Sequence, residues 1–152
     1  MTFNTTYRKE NKSIDIGTTQ QANSVNMKAD YDIKYIKAKA FAIRIIKMCK
    51  YLRKNGVEPY TLKQIWRSGT SIGANIAEAQ YAESLADFIH KLSIAQKECK
   101  ETCYWLDLLY EIGDINEKTY ESLNGDCMEI LKMLTSVIVK KKKKMSEDCA
   151  SL

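Results

Sequence analysis

From residue 38 onward, apolar residues return at spacings of three and four, the period of an α-helix with one buried face. Ala38, Phe41, Ala42, Ile45, Met48, Cys49 and Leu52 make a first stripe. The spacing predicts a helix from about Asp32, a plausible N-cap, to Asn55, where Asn55-Gly56 supplies a stop. A short loop with the only proline, Pro59, separates it from a second helix starting near Thr61. There Leu62, Ile65, Gly69, Ile72 and Ile76 form the stripe, beside a row of small residues, Gly69, Gly73 and Ala77. Glycine inside a helix costs about 1 kcal/mol relative to alanine, so two of them one turn apart point to close approach by a neighbour.

The third helix is expected from Ser84, with Asp87 three residues on as a variant of the capping box. Leu85, Phe88, Leu92, Ala95, Cys99, Thr102, Leu106 and Leu109 follow in unbroken three-four alternation. After Gly113 a fourth helix starts near Asn116, with Tyr120, Leu123, Cys127, Ile130, Leu134 and Val137 on its stripe. A period averaging about 3.5 residues is the seam of a left-handed bundle. Short connections make successive helices antiparallel neighbours. The expected fold is all-α: an antiparallel, up-down-up-down four-helix bundle over 31–139. Residues 1–30, polar and without an apolar period, read as a flexible tail, and 140–152 as a lysine-rich tail. Met27 is a candidate alternative start.

Composition narrows the function classes. The 152 residues suit one domain, and 45% hydrophobic with 28% charged is ordinary for a soluble protein. No apolar run approaches the roughly 18 residues of a membrane span, and the first residues carry no secretory signal. Five irregularly spaced cysteines predict a reduced, cytoplasmic protein. The single histidine, His90, removes any site that needs two. Asp87-x-x-His90 therefore makes no di-iron site, which takes paired Glu-x-x-His motifs. Cys49, Cys99, Cys103 and Cys127 lack the close Cys-x-x-Cys pairs of structural zinc sites, and small buried cysteines fill seam positions well. Gly69-x-x-x-Gly73 lacks the Lys-Ser/Thr of a phosphate loop. No metal, no cofactor and no catalytic activity are expected.

Charge is distributed unevenly within a net +5. Residues 33–77 carry ten basic groups against one acid, Glu58; 78–139 carry twelve acidic groups against five basic; 140–144 are all lysine. At about 100° per residue, Lys37, Lys39, Arg44, Lys47, Lys50 and Lys54 are set opposite the Phe41–Ile45–Leu52 stripe. A face of one sign suits a phosphate backbone, whose counterions it displaces. It also suits an acidic protein neighbour. Ile36, Ala40, Ile43 and Tyr51 share that outer face, and Tyr104 and Trp105 lie off the third seam, which points to burial against further subunits.

The run from Arg67 through Ser71, Ile72, Asn75, Ile76, Ala77 and Glu78 resembles the signature of the 23S-rRNA intervening-sequence protein family. Asp87-Phe88-Ile89, Leu92, Ile94-Ala95, Lys100-Glu101-Thr102 and Trp105-Leu106 are similar to its downstream block, so the resemblance covers about 32–140. Ala79-Gln80 departs from it, because the family usually has Gly after the Glu. The resemblance implies a small bacterial four-helix bundle without catalytic activity. Through related accessory proteins of diversity-generating retroelements, it also implies a ring-shaped homopentamer that binds a reverse transcriptase and nucleic acid, RNA or DNA. On the residues themselves, Arg67, Gly69, Ser71, Gly73, Asn75 and Glu78 are expected at helix or subunit contacts, with Ser71, Asn75 and Glu78 forming a polar network on one face. The expected function is a non-enzymatic, oligomeric, nucleic-acid-associated scaffold. The alternatives are an accessory subunit of a retroelement reverse transcriptase and a structural module for an acidic protein partner.

Overall fold

The computed structural model describes residues 20–150, and among them it contains four α-helices and no strand: α1 (Gln20–Lys54), α2 (Pro59–Ala79), α3 (Leu85–Glu111) and α4 (Glu117–Ala150). Ion pairs and close contacts fix their directions. Gly69 meets Ile45 while Gly73 meets Ala38, so α2 runs against α1. Ser68 pairs with Thr102 and Glu78 with Lys91, so α3 runs against α2. Gln96 meets Thr135 while Asp107 meets Tyr120, so α4 runs against α3. Lys37 reaches Glu129 while Arg44 reaches Asp126 and Ser122, which closes the antiparallel bundle along a thinner α1–α4 seam.

The helix ends are written in the sequence. At the end of α1, Gly56 takes φ +82°. Its N–H donates to the Arg53 carbonyl and that of Val57 to the Leu52 carbonyl, which satisfies two terminal acceptors. Gly113 at φ +84° repeats the device after α3, with Gly113 N–H on Tyr110 and Asp114 N–H on Leu109. The start of α2 differs from the expected Thr61: Glu58 is the cap and Pro59 the first helical residue. Proline fits there because its missing N–H is one the first turn leaves unpaired. The Glu58 carboxylate accepts from the N–H groups of Tyr60 and Thr61 at 2.7 and 2.9 Å. Ser84 caps α3 as expected, its hydroxyl accepting from the Asp87 N–H at 3.0 Å. Asp87 in turn accepts from the Glu83 N–H.

The core follows the seams. Phe41 and Ile45 of α1, Ile65, Ile72 and Ile76 of α2, Leu106 and Leu109 of α3, and Ile130 and Leu134 of α4 are fully buried. Each such side chain stabilises the fold by about 1.5–3 kcal/mol relative to an exposed one. Two further boundaries depart from the sequence reading. α1 starts at Gln20, twelve residues before Asp32, which is an exposed helical position and not a cap. Residues 20–31 carry no apolar stripe, so periodicity does not detect them. Of the expected 1–30 tail, 1–19 lie outside the described residues. α4 continues through the lysine run to Ala150, because lysine is a good helix former when solvated. Among the described residues, no helix is long and apolar enough to cross a membrane.

Candidate nucleic-acid interface

The six basic residues expected on the outer face of α1 divide into two groups. Lys37 and Arg44 immediately precede the buried Ala38 and Ile45, so they stand beside the core stripe and not opposite it. Lys37 pairs with Glu129, and Arg44 pairs with Asp126 and donates to Ser122 Oγ at 2.7 Å. These two cations are neutralised by the acidic face of α4. Lys39, Lys47, Lys50 and Lys54 do point outward, all exposed. The Lys39 ammonium lies 5.9 Å from the centre of the Tyr35 ring. Lys47, Lys50 and Lys54 make no ion pair with the described residues. Ile36, Ala40, Ile43 and Tyr51 are exposed among them, so the face is basic with apolar insertions.

The lysine run 140–144, legible in the sequence as a basic stretch, becomes part of a groove that the sequence did not show. Along the α1–α4 seam, a groove of about 610 Å³ is lined by Lys34, Lys132, Met133, Ser136, Val137, Lys140, Lys141 and Lys144. Lys132, Ser136, Lys140 and Lys144 recur every four residues on α4, a row that exists only because the helix continues past 139. Lys34 lies across the seam and is itself buried, at 8% exposure. Lys141 sits on the rim, its ammonium 5.9 Å from the Phe88 ring centre.

The α2 motif residues occupy three environments. Gly69 and Gly73 face α1 and are buried. Arg67 reaches α3, pairing with Glu101 and, at 3.4 Å, with Glu98. The Glu101 bond raises the Arg67 pKa, and Arg67 in turn lowers that of Glu101. Glu98 moves the opposite way, raised by burial despite Arg67, and its Oε2 is buried without a partner. Ser71, Asn75 and Glu78 do not join in a network within the chain. The Asn75 amide donates to the Ser71 carbonyl one turn back, which ties it to its own helix, and Glu78 accepts from Lys91 of α3 at 2.6 Å. Beside these exposed ion pairs, a buried polar link crosses α2 and α3 between Ser68 and Thr102, both fully buried. Serine on a stripe edge gives little sequence signal of that role.

His90 is exposed on α3, and Cys49, Cys99 and Cys127 are buried in the seams. Burial pushes the Cys49 thiol up to about 11. Cys103 is raised by its hydrogen bond to Cys127 and by burial, so thiolate chemistry is disfavoured at both positions. Among the described residues, no three His, Cys, Asp or Glu side chains converge as metal ligands would. Tyr104 is exposed, edge-on to Trp105 at 5.0 Å between ring centres, and Trp105 packs its ring on the core.

Comparison with known proteins gives two positive findings. The family described as 23S rRNA-intervening sequence protein matches residues 32–136. Among solved structures, the chain is similar to the 1.70 Å crystal structure of a protein with unknown function from the S23 ribosomal protein family, from Bacteroides thetaiotaomicron VPI-5482. The two are 50% identical with a TM-score of 0.70, over 72% of this chain and 97% of that one. No curated protein matches the chain.

Proposed function

This chain belongs to the 23S rRNA-intervening sequence protein family, and from that premise we propose that it is a non-enzymatic, oligomeric scaffold that binds RNA or DNA. The observation that carries the reading is the outer face of α1, where Lys47, Lys50 and Lys54 stand exposed, without acid neighbours between 33 and 54. Like charges one turn apart repel each other on a helix. A polyanion that neutralises them removes that repulsion and releases its own counterions. Ile36 and Ile43, 62% and 45% exposed, support burial of part of the same face against another copy of the chain, in a closed ring such as a pentamer. Repetition around a ring multiplies weak contacts per subunit.

A second reading, an accessory subunit of a retroelement reverse transcriptase, draws on the same mixed face. Ile36, Ile43 and Tyr51 offer a protein partner apolar area that a phosphate backbone does not use. The test of the first reading is the charge-reversal variant K47E/K50E/K54E. It abolishes binding of labelled RNA and DNA in fluorescence anisotropy and leaves the far-UV helical signal and the light-scattering mass as in the wild type. Wild-type affinity in the variant sinks the assignment to α1, and a wild type that scatters as a monomer at micromolar concentration sinks the ring.

A further inference from the structure

We infer that the α1–α4 groove is a second anion site, one that takes consecutive phosphates of a single-stranded nucleic acid. The inference rests on the nucleic-acid reading above but concerns a different surface. Three lysines carry it: Lys132, Lys140 and Lys144, all exposed, all on one row of α4, and none in an ion pair with the described residues. Lys34 stands on the opposite wall and Lys141 on the rim. Among the described acids of α4 on this side, Glu129 pairs with Lys37, and Glu147 lies 3.9 Å from Lys143.

The shape selects the ligand. Neighbouring helices pack with their axes about 8–10 Å apart, and a groove between two of them admits one strand and not a duplex. Its floor, Met133 and Val137, is apolar. An apolar floor beside a row of exposed cations suits a chain that alternates charged phosphates with flat bases and sugars. Contacts of this kind read charge and shape, so different sequences of one strand type bind alike. The row follows from the continuation of α4 through the lysine run: only in that helix do Lys140 and Lys144 align with Lys132.

The variant K132Q/K140Q/K144Q tests this on the full chain, with a labelled 20-nucleotide single strand as the probe. Each phosphate contact on a single strand contributes about 0.7 to the slope of log K against log salt. The variant therefore lowers the slope by about 2 and the affinity at 0.1 M salt by about 100-fold, while a duplex of the same sequence is bound as by the wild type. Lysine acetylation on the wild-type protein gives a readout independent of any variant: the strand protects Lys132, Lys140 and Lys144. Loss of strand binding in K47E/K50E/K54E, with none in the groove variant and no protection of the three lysines, overturns the groove site and leaves the α1 reading standing. The reverse pattern, with binding lost only in the groove variant, supports the groove and sinks α1. Protection by inorganic polyphosphate but not by the strand overturns the assignment to nucleic acid. A wild type that binds neither RNA nor DNA at low salt ends both.

Discussion

The hydroxyls of Ser68 and Thr102 lie 3.0 Å apart in the dry seam between α2 and α3. Thr102 also lies 2.7 Å from the Glu98 carbonyl, and Ser68 3.3 Å from that of Ile65. Two protons thus serve three contacts: one bridges the hydroxyls and the other goes to a helix carbonyl. If either residue is lost, the remaining hydroxyl still has a carbonyl in reach. S68A and T102V are therefore expected to cost about 1 kcal/mol each, the usual net value of a buried hydrogen bond. The double variant falls short of the sum by about 0.5 kcal/mol or more, because both singles remove the same bond. Urea denaturation of the four proteins checks this, and strict additivity would show that the two hydroxyls act independently.

Gly69 and Gly73 sit one turn apart on α2 and respond oppositely to a methyl group. A Cβ at 73 meets Ala38 at 3.7 Å, an ordinary contact. G73A gains helix propensity of about 0.5–1 kcal/mol and raises stability. A Cβ at 69 comes within 3.0 Å of both Ile45 Cγ atoms and 3.3 Å of Ile45 Cβ. Ile45 is fully buried and branched at Cβ, so it has little room to turn aside. Overpacking costs about 1–3 kcal/mol, which outweighs the propensity gain, and G69A is destabilised by about 1 kcal/mol. Thermal melts that shift in the same direction for both would contradict the close approach at Gly69.

The bundle was legible because its cause is local and repeated. Four stripes such as Leu62–Ile65–Ile72–Ile76 have one stable arrangement, each buried against the others, and Gly56 and Gly113 mark turns that need positive φ. The small-residue row was half legible: spacing finds both glycines but does not tell which one lacks room. The charged surface was less legible still. Whether Lys37 and Arg44 are free depends on which α4 residues stand opposite, and a single helix wheel does not contain Glu129 or Asp126. The groove was hidden by one boundary. With 140–144 read as a tail, Lys132 has no partners; with α4 running to Ala150, it heads a row. Glu58 as the cap of α2 was missed because serine, threonine, aspartate and asparagine lead at that position.

That cap carries a pH signature. The N–H groups of Thr61 and Tyr60 hold the Glu58 carboxyl below the usual carboxylate range. A carboxylate depressed in the folded state stabilises the protein above its unfolded pKa of about 4.3, and that contribution fades as pH falls through the folded value. E58A therefore melts at a lower temperature than the wild type at pH 7, and the gap narrows as pH is lowered through 4 to 3. Melting curves at pH 7, 5 and 3 measure it. A gap that stays constant would mean that Glu58 acts through packing and not through its charge.

The α1–α4 ion pairs give a test that links fold to function. Glu129 and Asp126 neutralise Lys37 and Arg44, and all four side chains are half-exposed, so the pairs contribute little to stability, about 0–1 kcal/mol each. Their effect on a nucleic acid is larger in proportion, because each acid both occupies a cation and repels phosphate. D126N/E129Q leaves the helices intact and returns two cations to a surface between the α1 face and the groove. If a strand passes there, the variant binds it more tightly, and the slope of log K against log salt steepens by up to about 1.4 for a single strand, two contacts at 0.7 each. Arg44 distinguishes this from a general change in net charge: adding R44Q to D126N/E129Q removes half of the gain. Anisotropy titrations across a salt series supply both numbers. An unchanged slope in D126N/E129Q would show that the strand does not pass over Lys37 and Arg44.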